Sequence, residues 1–222
     1  MPDEPPKSRL HSLIDALNQI EANVLAFACV CVGGVLVLCK HQQEGSLLIG
    51  GGLGVKMAAP DREVYVLVGD GSYLMMAQEL VTAVQENVKL TVVLVQNYGF
   101  ASIGSLSESV GSQRFGTAYR YRNPATGRLD GSKLPLDLAA NAESLGVFVL
   151  RAGTIDQLAD ALIVARSQAG PVLISIETDP EIPAPGSQSW WDVPVAEVSE
   201  LATTARARTA YEADRARHTR YL

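Results

Sequence analysis

The chain of 222 residues is 47% hydrophobic and 19% charged, which excludes an intrinsically disordered protein and allows one large α/β core with appendages rather than two full domains. A net charge of −6 argues against general nucleic-acid binding, so an anionic ligand needs a local site. Cys29, Cys31 and Cys39 are odd in number and form no disulfide framework, which fits a reducing cytoplasm.

Residues 1–48 read as a divergent amino-terminal segment. Leu10, Leu13, Ile14, Leu17 and Ile20 share one face, so residues 8–21 are expected to form an amphipathic helix with Ser8 as its N-cap. The uncharged run 24–39 falls short of the roughly 20 residues that span a bilayer, and reads as two buried strands joined at Gly33-Gly34 rather than as a membrane anchor. Acidic residues before it argue against a cleaved signal. Cys29, Cys31, Cys39 and His41 could formally hold zinc, but lack Cys-x-x-Cys spacing and lie in an apolar setting. Residues 49–59 are expected to form a glycine-rich helix that lies close against a neighbour, closed by Pro60-Asp61.

A strand buried on both faces, Val64-Tyr65-Val66-Leu67-Val68, stops at Gly69-Asp70-Gly71-Ser72. From Tyr73 the residues Leu74, Leu80, Val81 and Val84 follow helical spacing, with Gln78, Gln85 and Glu86 outward, until Asn87 ends the helix. A second apolar strand, Leu90-Thr91-Val92-Val93-Leu94-Val95, completes a right-handed βαβ crossover, so the two strands are expected to be parallel. Asp70 and Asn97 then leave the carboxyl ends of both strands and can reach one point beyond the sheet edge. A carboxylate and an amide oxygen beside a helix start suit Mg²⁺ bridging to a diphosphate. Gly69, Gly71 and Gly99 let the backbone approach such a ligand, and a carbonyl of the last turn could be a third metal ligand. Gly-Asp-Gly alone would also suit an ordinary turn; the helix, second strand and Asn-x-Gly in register favour the site. No third glycine completes a dinucleotide fingerprint, and no Gly-Lys-Ser/Thr forms a P-loop.

Residues 100–121 are a loop or short-helix region suited to cover an active site, where Ser102, Ser107, Ser112, Gln113 and Arg114 could bond a hydroxylated substrate. Residues 120–133 form a polar, turn-rich excursion whose Arg120, Arg122 and Arg128 are expected to be solvated. Pro135 is expected to open a helix through Leu145, with Gly146 ending it before a third strand over 147–150. Thr154 and Gln157 have capping-box spacing for a helix to about Gln168, and a fourth strand covers 172–176. This alternation implies a three-layer α/β/α domain over 49–180 with a mainly parallel sheet. The extension 181–222 holds the end of a stiff, extended, proline-rich segment beginning at Asp179, then Trp190-Trp191, and a charged helix from Val195.

Gly69-Asp70-Gly71-Ser72 followed by Asn97-Tyr98-Gly99 resembles the diphosphate-binding signature of thiamine diphosphate enzymes. The resemblance implies that Asp70, Asn97 and the Gly99 carbonyl hold Mg²⁺ while the Gly71-Ser72 turn takes the diphosphate. Together with the stretches starting at Gly127 and Ser189, residues 49–222 are similar to the carboxyl-terminal domain of the trihydroxycyclohexane-1,2-dione hydrolases of myo-inositol catabolism. That implies hydrolytic ring opening of a polyol-derived diketone: the thiazolium ylide adds to a carbonyl, the adjacent C–C bond breaks, and water releases 5-deoxyglucuronate. Members of that family are longer and carry a pyrimidine-binding domain with an activating glutamate. No glutamate of this sequence can be assigned that role, so no catalytic residue is assigned; a homo-oligomer or a complex with a chain carrying that domain is expected, with activity only where another chain supplies it. Two alternatives stand beside this reading: a thiamine enzyme of acetohydroxyacid synthase or decarboxylase type, and a non-catalytic interaction module.

Overall fold

The computed structural model describes residues 29–31, 34–37, 48–182 and 193–217, with side chains from residue 48 onward. Contacts divide the chain into two units, one comprising 1–99 and 135–182 and the other 100–134 and 183–222.

The first unit is built on six strands among the described residues. They are β1 (Cys29–Cys31), β2 (Gly34–Val37), β3 (Glu63–Gly69), β4 (Thr91–Gln96), β5 (Phe148–Ala152) and β6 (Val172–Glu177), in the order β1-β2-β3-β4-β6-β5. All pair in parallel except β1, which runs antiparallel to β2. The two strands expected within 24–39 are therefore present as β1 and β2. The amphipathic helix of 8–21, the link at residue 33, Cys39 and His41 lie outside the described residues.

Strand alternation sorts the apolar side chains into two layers. Val64, Val66 and Val68 of β3, Val92 and Leu94 of β4, and Leu173 of β6 pack with Leu48, Ile49, Tyr73, Leu80, Leu138 and Ala142 on one side. Leu67, Val93, Val172 and Ile174 pack on the other against Leu158, Ala161, Leu162 and Ala165. The helices supplying these layers are α1 (Leu48–Ala58), α2 (Asp70–Met76), α3 (Glu79–Gln85) and α5 (Leu138–Ser144) on the first side, and α6 (Ile155–Ser167) on the second. This is the expected three-layer α/β/α arrangement.

Glycine content lets α1 approach the sheet, but one residue carries the effect. A Cβ on Gly52 would lie 2.2 Å from Val66 Cγ2, whereas Gly51 and Gly54 have nothing within 4 Å. The expected helix after the central turn differs in three respects. It begins at Asp70 instead of after Ser72, it breaks into α2 and α3, and Leu74 and Val81 are exposed while Tyr73, Leu80 and Ala83 are buried. At the break the backbone bonds tighten to three-residue steps, Leu80 N–H to Ala77 O at 3.0 Å and Val81 N–H to Gln78 O at 2.9 Å.

Three other boundaries move for local reasons. Pro135 does not open α5; Asp137 does, its Oδ1 accepting from Ala140 N at 2.8 Å. Gly146 ends that region at φ +88°, as the sequence predicts, and the third strand starts at Phe148. Thr154 caps α6 by accepting from Gln157 N at 3.2 Å. The segment at Asp179 is a turn rather than extended: Asp179 Oδ1 accepts from Glu181 N at 2.9 Å, and Ile182 N–H bonds Asp179 O at 3.3 Å. Trp190 and Trp191 lie outside the described residues.

In the second unit, α4 (Ala101–Ser109) supplies the short helix expected in 100–121. Phe100 meets Tyr119 edge to face at 5.8 Å, and Arg120 bridges to Lys133 in an antiparallel pair. The carboxyl-terminal helix α7 (Ala202–Arg217) begins seven residues later than Val195, after a stretch held by Ser199 Oγ accepting from Leu201 N at 3.1 Å. Thr203 and Thr204 hydroxyls both donate to Gly111 O, at 2.7 and 2.8 Å. Arg208 gathers Val195 O, Glu197 and Glu212 while lying over Tyr211 at 5.5 Å. No described helix is long and apolar enough to cross a membrane.

Candidate functional site

The site grows from the register of β3 and β4. Gly69 pairs with Val95, so the residues immediately following, Asp70 and the 97–99 turn, emerge together at the carboxyl end of the sheet. Asp70 opens α2 and is 1% exposed. Its Oδ2 accepts from Gly99 N at 3.0 Å and its Oδ1 from Gly71 N at 2.9 Å. The two segments, separated along the chain, are thus joined through this carboxylate.

Burial pushes the Asp70 carboxyl above the usual carboxylate range, and the backbone N–H groups of Gly99, Gly71, Tyr98 and Asn97 pull against that shift. The groups opposing burial are peptide dipoles. A carboxylate held this way has a strong affinity for a cation brought to it. Beside it, Asn97 Oδ1 is buried with no hydrogen-bond partner. An orphaned amide oxygen costs about 1–3 kcal/mol unless something binds it. Carboxylate, amide oxygen and backbone carbonyl are all hard oxygen donors, the set Mg²⁺ takes.

Gly69, Gly71 and Ser72 share this end of the sheet. Gly69 caps α2 from extended backbone, and a Cβ there would meet nothing within 4 Å, so the space in front of it is open. Gly71 is buried and Ser72 half-buried in the first turn of α2, where helix geometry leaves N–H groups without intrahelical partners. The helix starting at Asp70 changes one detail: the Gly71 N–H already serves the Asp70 carboxylate. Ser102 and Ser107 lie on α4 of the second unit, with Ser112 and Gln113 following, and Arg114 Nε pairs with Glu108 at 2.7 Å.

Sequence reasoning assigned nothing to Tyr98. Its φ of +60° puts a bulky residue in left-handed backbone, and its hydroxyl donates to Glu177 Oε1 at 2.6 Å. That bond, with burial second, pushes the Tyr98 phenol up to about 12. A large residue between Asn and Gly in a tight turn was the available signal. Gln96, 4% exposed, donates from Nε2 to Leu136 O at 3.4 Å.

Residues 47–176 match the family model "Thiamine pyrophosphate enzyme, C-terminal TPP binding domain". The 3D-(3,5/4)-trihydroxycyclohexane-1,2-dione hydrolases of Bacillus thuringiensis (strain Al Hakam) and Bacillus anthracis are each 44% identical to the chain over 176 residues, covering 78% of it and 27% of the relative. The chain therefore spans about a quarter of the length of the curated relatives it matches. A solved structure, the thiamine diphosphate-dependent 4-hydroxybenzoylformate decarboxylase of Rhodococcus jostii, overlaps 60% of this chain and 23% of that one at 24% identity and a TM-score of 0.49. With a family match across more than half its residues, this chain belongs to the thiamine pyrophosphate enzymes, as their C-terminal TPP-binding domain.

Proposed function

We propose that Asp70, Asn97 and the Gly99 carbonyl hold Mg²⁺, with Gly69 and the Gly71-Ser72 turn receiving the diphosphate of thiamine diphosphate. The observation that carries this reading is the buried, unpartnered Asn97 Oδ1 beside a carboxylate that burial has already pushed towards taking a proton. A divalent cation satisfies both groups at once. Asp70 offsets one of its two charges, the α2 start and glycine turn leave room for phosphate oxygens, and Asn97 fixes the cation's position.

The similarity to the dione hydrolases extends the proposal to the reaction. The chain serves hydrolytic cleavage of a C–C bond in a trihydroxycyclohexane-1,2-dione, giving 5-deoxyglucuronate in cytoplasmic inositol catabolism. The cofactor, when bound, supplies the electron sink for breaking a bond next to a carbonyl. This chain's residues bind and orient it; the activating proton relay comes from a pyrimidine-binding domain carried by another chain of a complex. Isothermal titration with thiamine diphosphate and Mg²⁺, comparing wild type with Asp70→Ala, tests the assignment. Heat of binding is expected in the wild type and lost in the variant; equal heats overturn it. Ring-opening turnover by the purified chain alone would overturn the need for a partner domain.

A further inference from the structure

We infer that Tyr98 and Glu177 form a positioning brace that holds the 97–99 turn in the conformation presenting Asn97 and Gly99 together. The inference rests on the metal-ligand reading of those two residues given above.

The turn is pinned from two neighbouring strands. From the β3 side, Asp70 Oδ2 accepts the Gly99 N–H at 3.0 Å. From the β6 side, Gln96 pairs with Glu177 and Thr178 N–H bonds Gln96 O at 3.0 Å, carrying the ladder past the end of β4. Glu177 therefore stands level with the start of the turn, and its Oε1 accepts the Tyr98 hydroxyl at 2.6 Å. Between these pins Tyr98 adopts φ +60°. A residue with a Cβ enters that region at a cost of about 1–2 kcal/mol, which glycine would avoid. A side chain kept there needs a bond to hold it, and a short hydrogen bond to a carboxylate is among the stronger ones available.

The consequence for the site is geometric. The rotations separating Asn97 Oδ1 from the Gly99 carbonyl include the backbone torsions of Tyr98. If those relax, the two oxygens no longer face one point. The brace acts through the torsions that set Asn97 and Gly99, so Tyr98 is a positioning residue.

The test uses the full chain with thiamine diphosphate present and Mn²⁺ as the probe, free Mn²⁺ being counted by electron paramagnetic resonance. Tyr98→Phe and Glu177→Ala are expected to weaken Mn²⁺ binding about tenfold, as outer partners of metal ligands do. Glu177→Gln keeps an acceptor oxygen and is expected to stay within about twofold of wild type, because hydrogen bonding and not charge does the positioning. If Asp70→Ala loses Mn²⁺ binding while Tyr98→Phe binds like wild type, the brace is refuted and the ligand reading stands. If Glu177→Gln falls as far as Glu177→Ala, charge rather than positioning is responsible, and the brace is refuted. If wild type binds no Mn²⁺, or Asp70→Ala binds it equally, the ligand reading fails and takes the inference with it.

Discussion

Two buried oxygens without partners stand at opposite ends of β4: Thr91 Oγ1 at its start and Asn97 Oδ1 just beyond its finish. Thr91 is 1% exposed, paired across the sheet with Tyr65 and Val172, and shares its face with Val93. Nothing around it invites a ligand, so its hydroxyl is a plain cost to stability. Asn97 has a buried carboxylate beside it, a glycine on one side of its turn and open space before Gly69. The same defect in polar accounting is a flaw in one setting and, on the proposed reading, a binding group in the other. What surrounds an unpartnered atom decides which.

Four measurements distinguish the two oxygens. The largest effect is expected for Asn97→Ala, which should lower Mg²⁺-dependent affinity for thiamine diphosphate at least about 100-fold by titration calorimetry, equivalent to about 2.7 kcal/mol. Thr91→Val should leave that affinity alone. Next, Mg²⁺ with thiamine diphosphate at about 100 times the dissociation constant should add about 2.7 kcal/mol to wild-type stability, seen as a rise of several degrees in the melting midpoint. The gain should fall to about 0.4 kcal/mol or less in Asn97→Ala and persist in Thr91→Val.

A third oxygen, the Tyr73 hydroxyl, is an intermediate case: the residue is fully buried, yet the hydroxyl donates to Asn141 Oδ1 at 2.8 Å. Burial pushes its phenol from 10.0 up to about 12. The unfolded chain therefore releases this proton first, and stability falls as pH rises from about 10 towards 12, by up to about 2–3 kcal/mol. Denaturant unfolding at pH 9 and 11 should show that extra loss in wild type, and less of it in Tyr73→Phe. The smallest effect is a gain: Thr91→Val, close in shape and without the hydroxyl, should stabilise the protein by about 1 kcal/mol in the same assay.

Much of this end of the molecule was legible in the sequence. The unbroken apolar runs of β3 and β4, with too many residues between them for a hairpin, dictate a parallel pair and so bring Asp70 and Asn97 to one edge. The face of the intervening helix was not legible. Leu74 and Val81 are seven residues apart, and so are Tyr73 and Leu80, so periodicity fits either stripe equally well. The break at Ala77-Gln78 has no glycine or proline to announce it. Asp137 was passed over in favour of Pro135 because proline is the louder signal, while the cap depends on a bond three residues ahead. Tyr98 drew no role because its conformation and its partner on β6 exist only once the sheet is assembled.

Gly52 has a reach beyond its own helix. The hydrogen it carries in place of a side chain sets the thickness of the molecule where α1 crosses Val66, in the strand that ends at Asp70. A single methyl there would act as a shim, prising helix from strand and tilting the support from which the carboxylate is aimed. The tolerance of the rim that carries Asp70 is thus fixed partly on the helix side of the sheet, by the smallest residue in the protein.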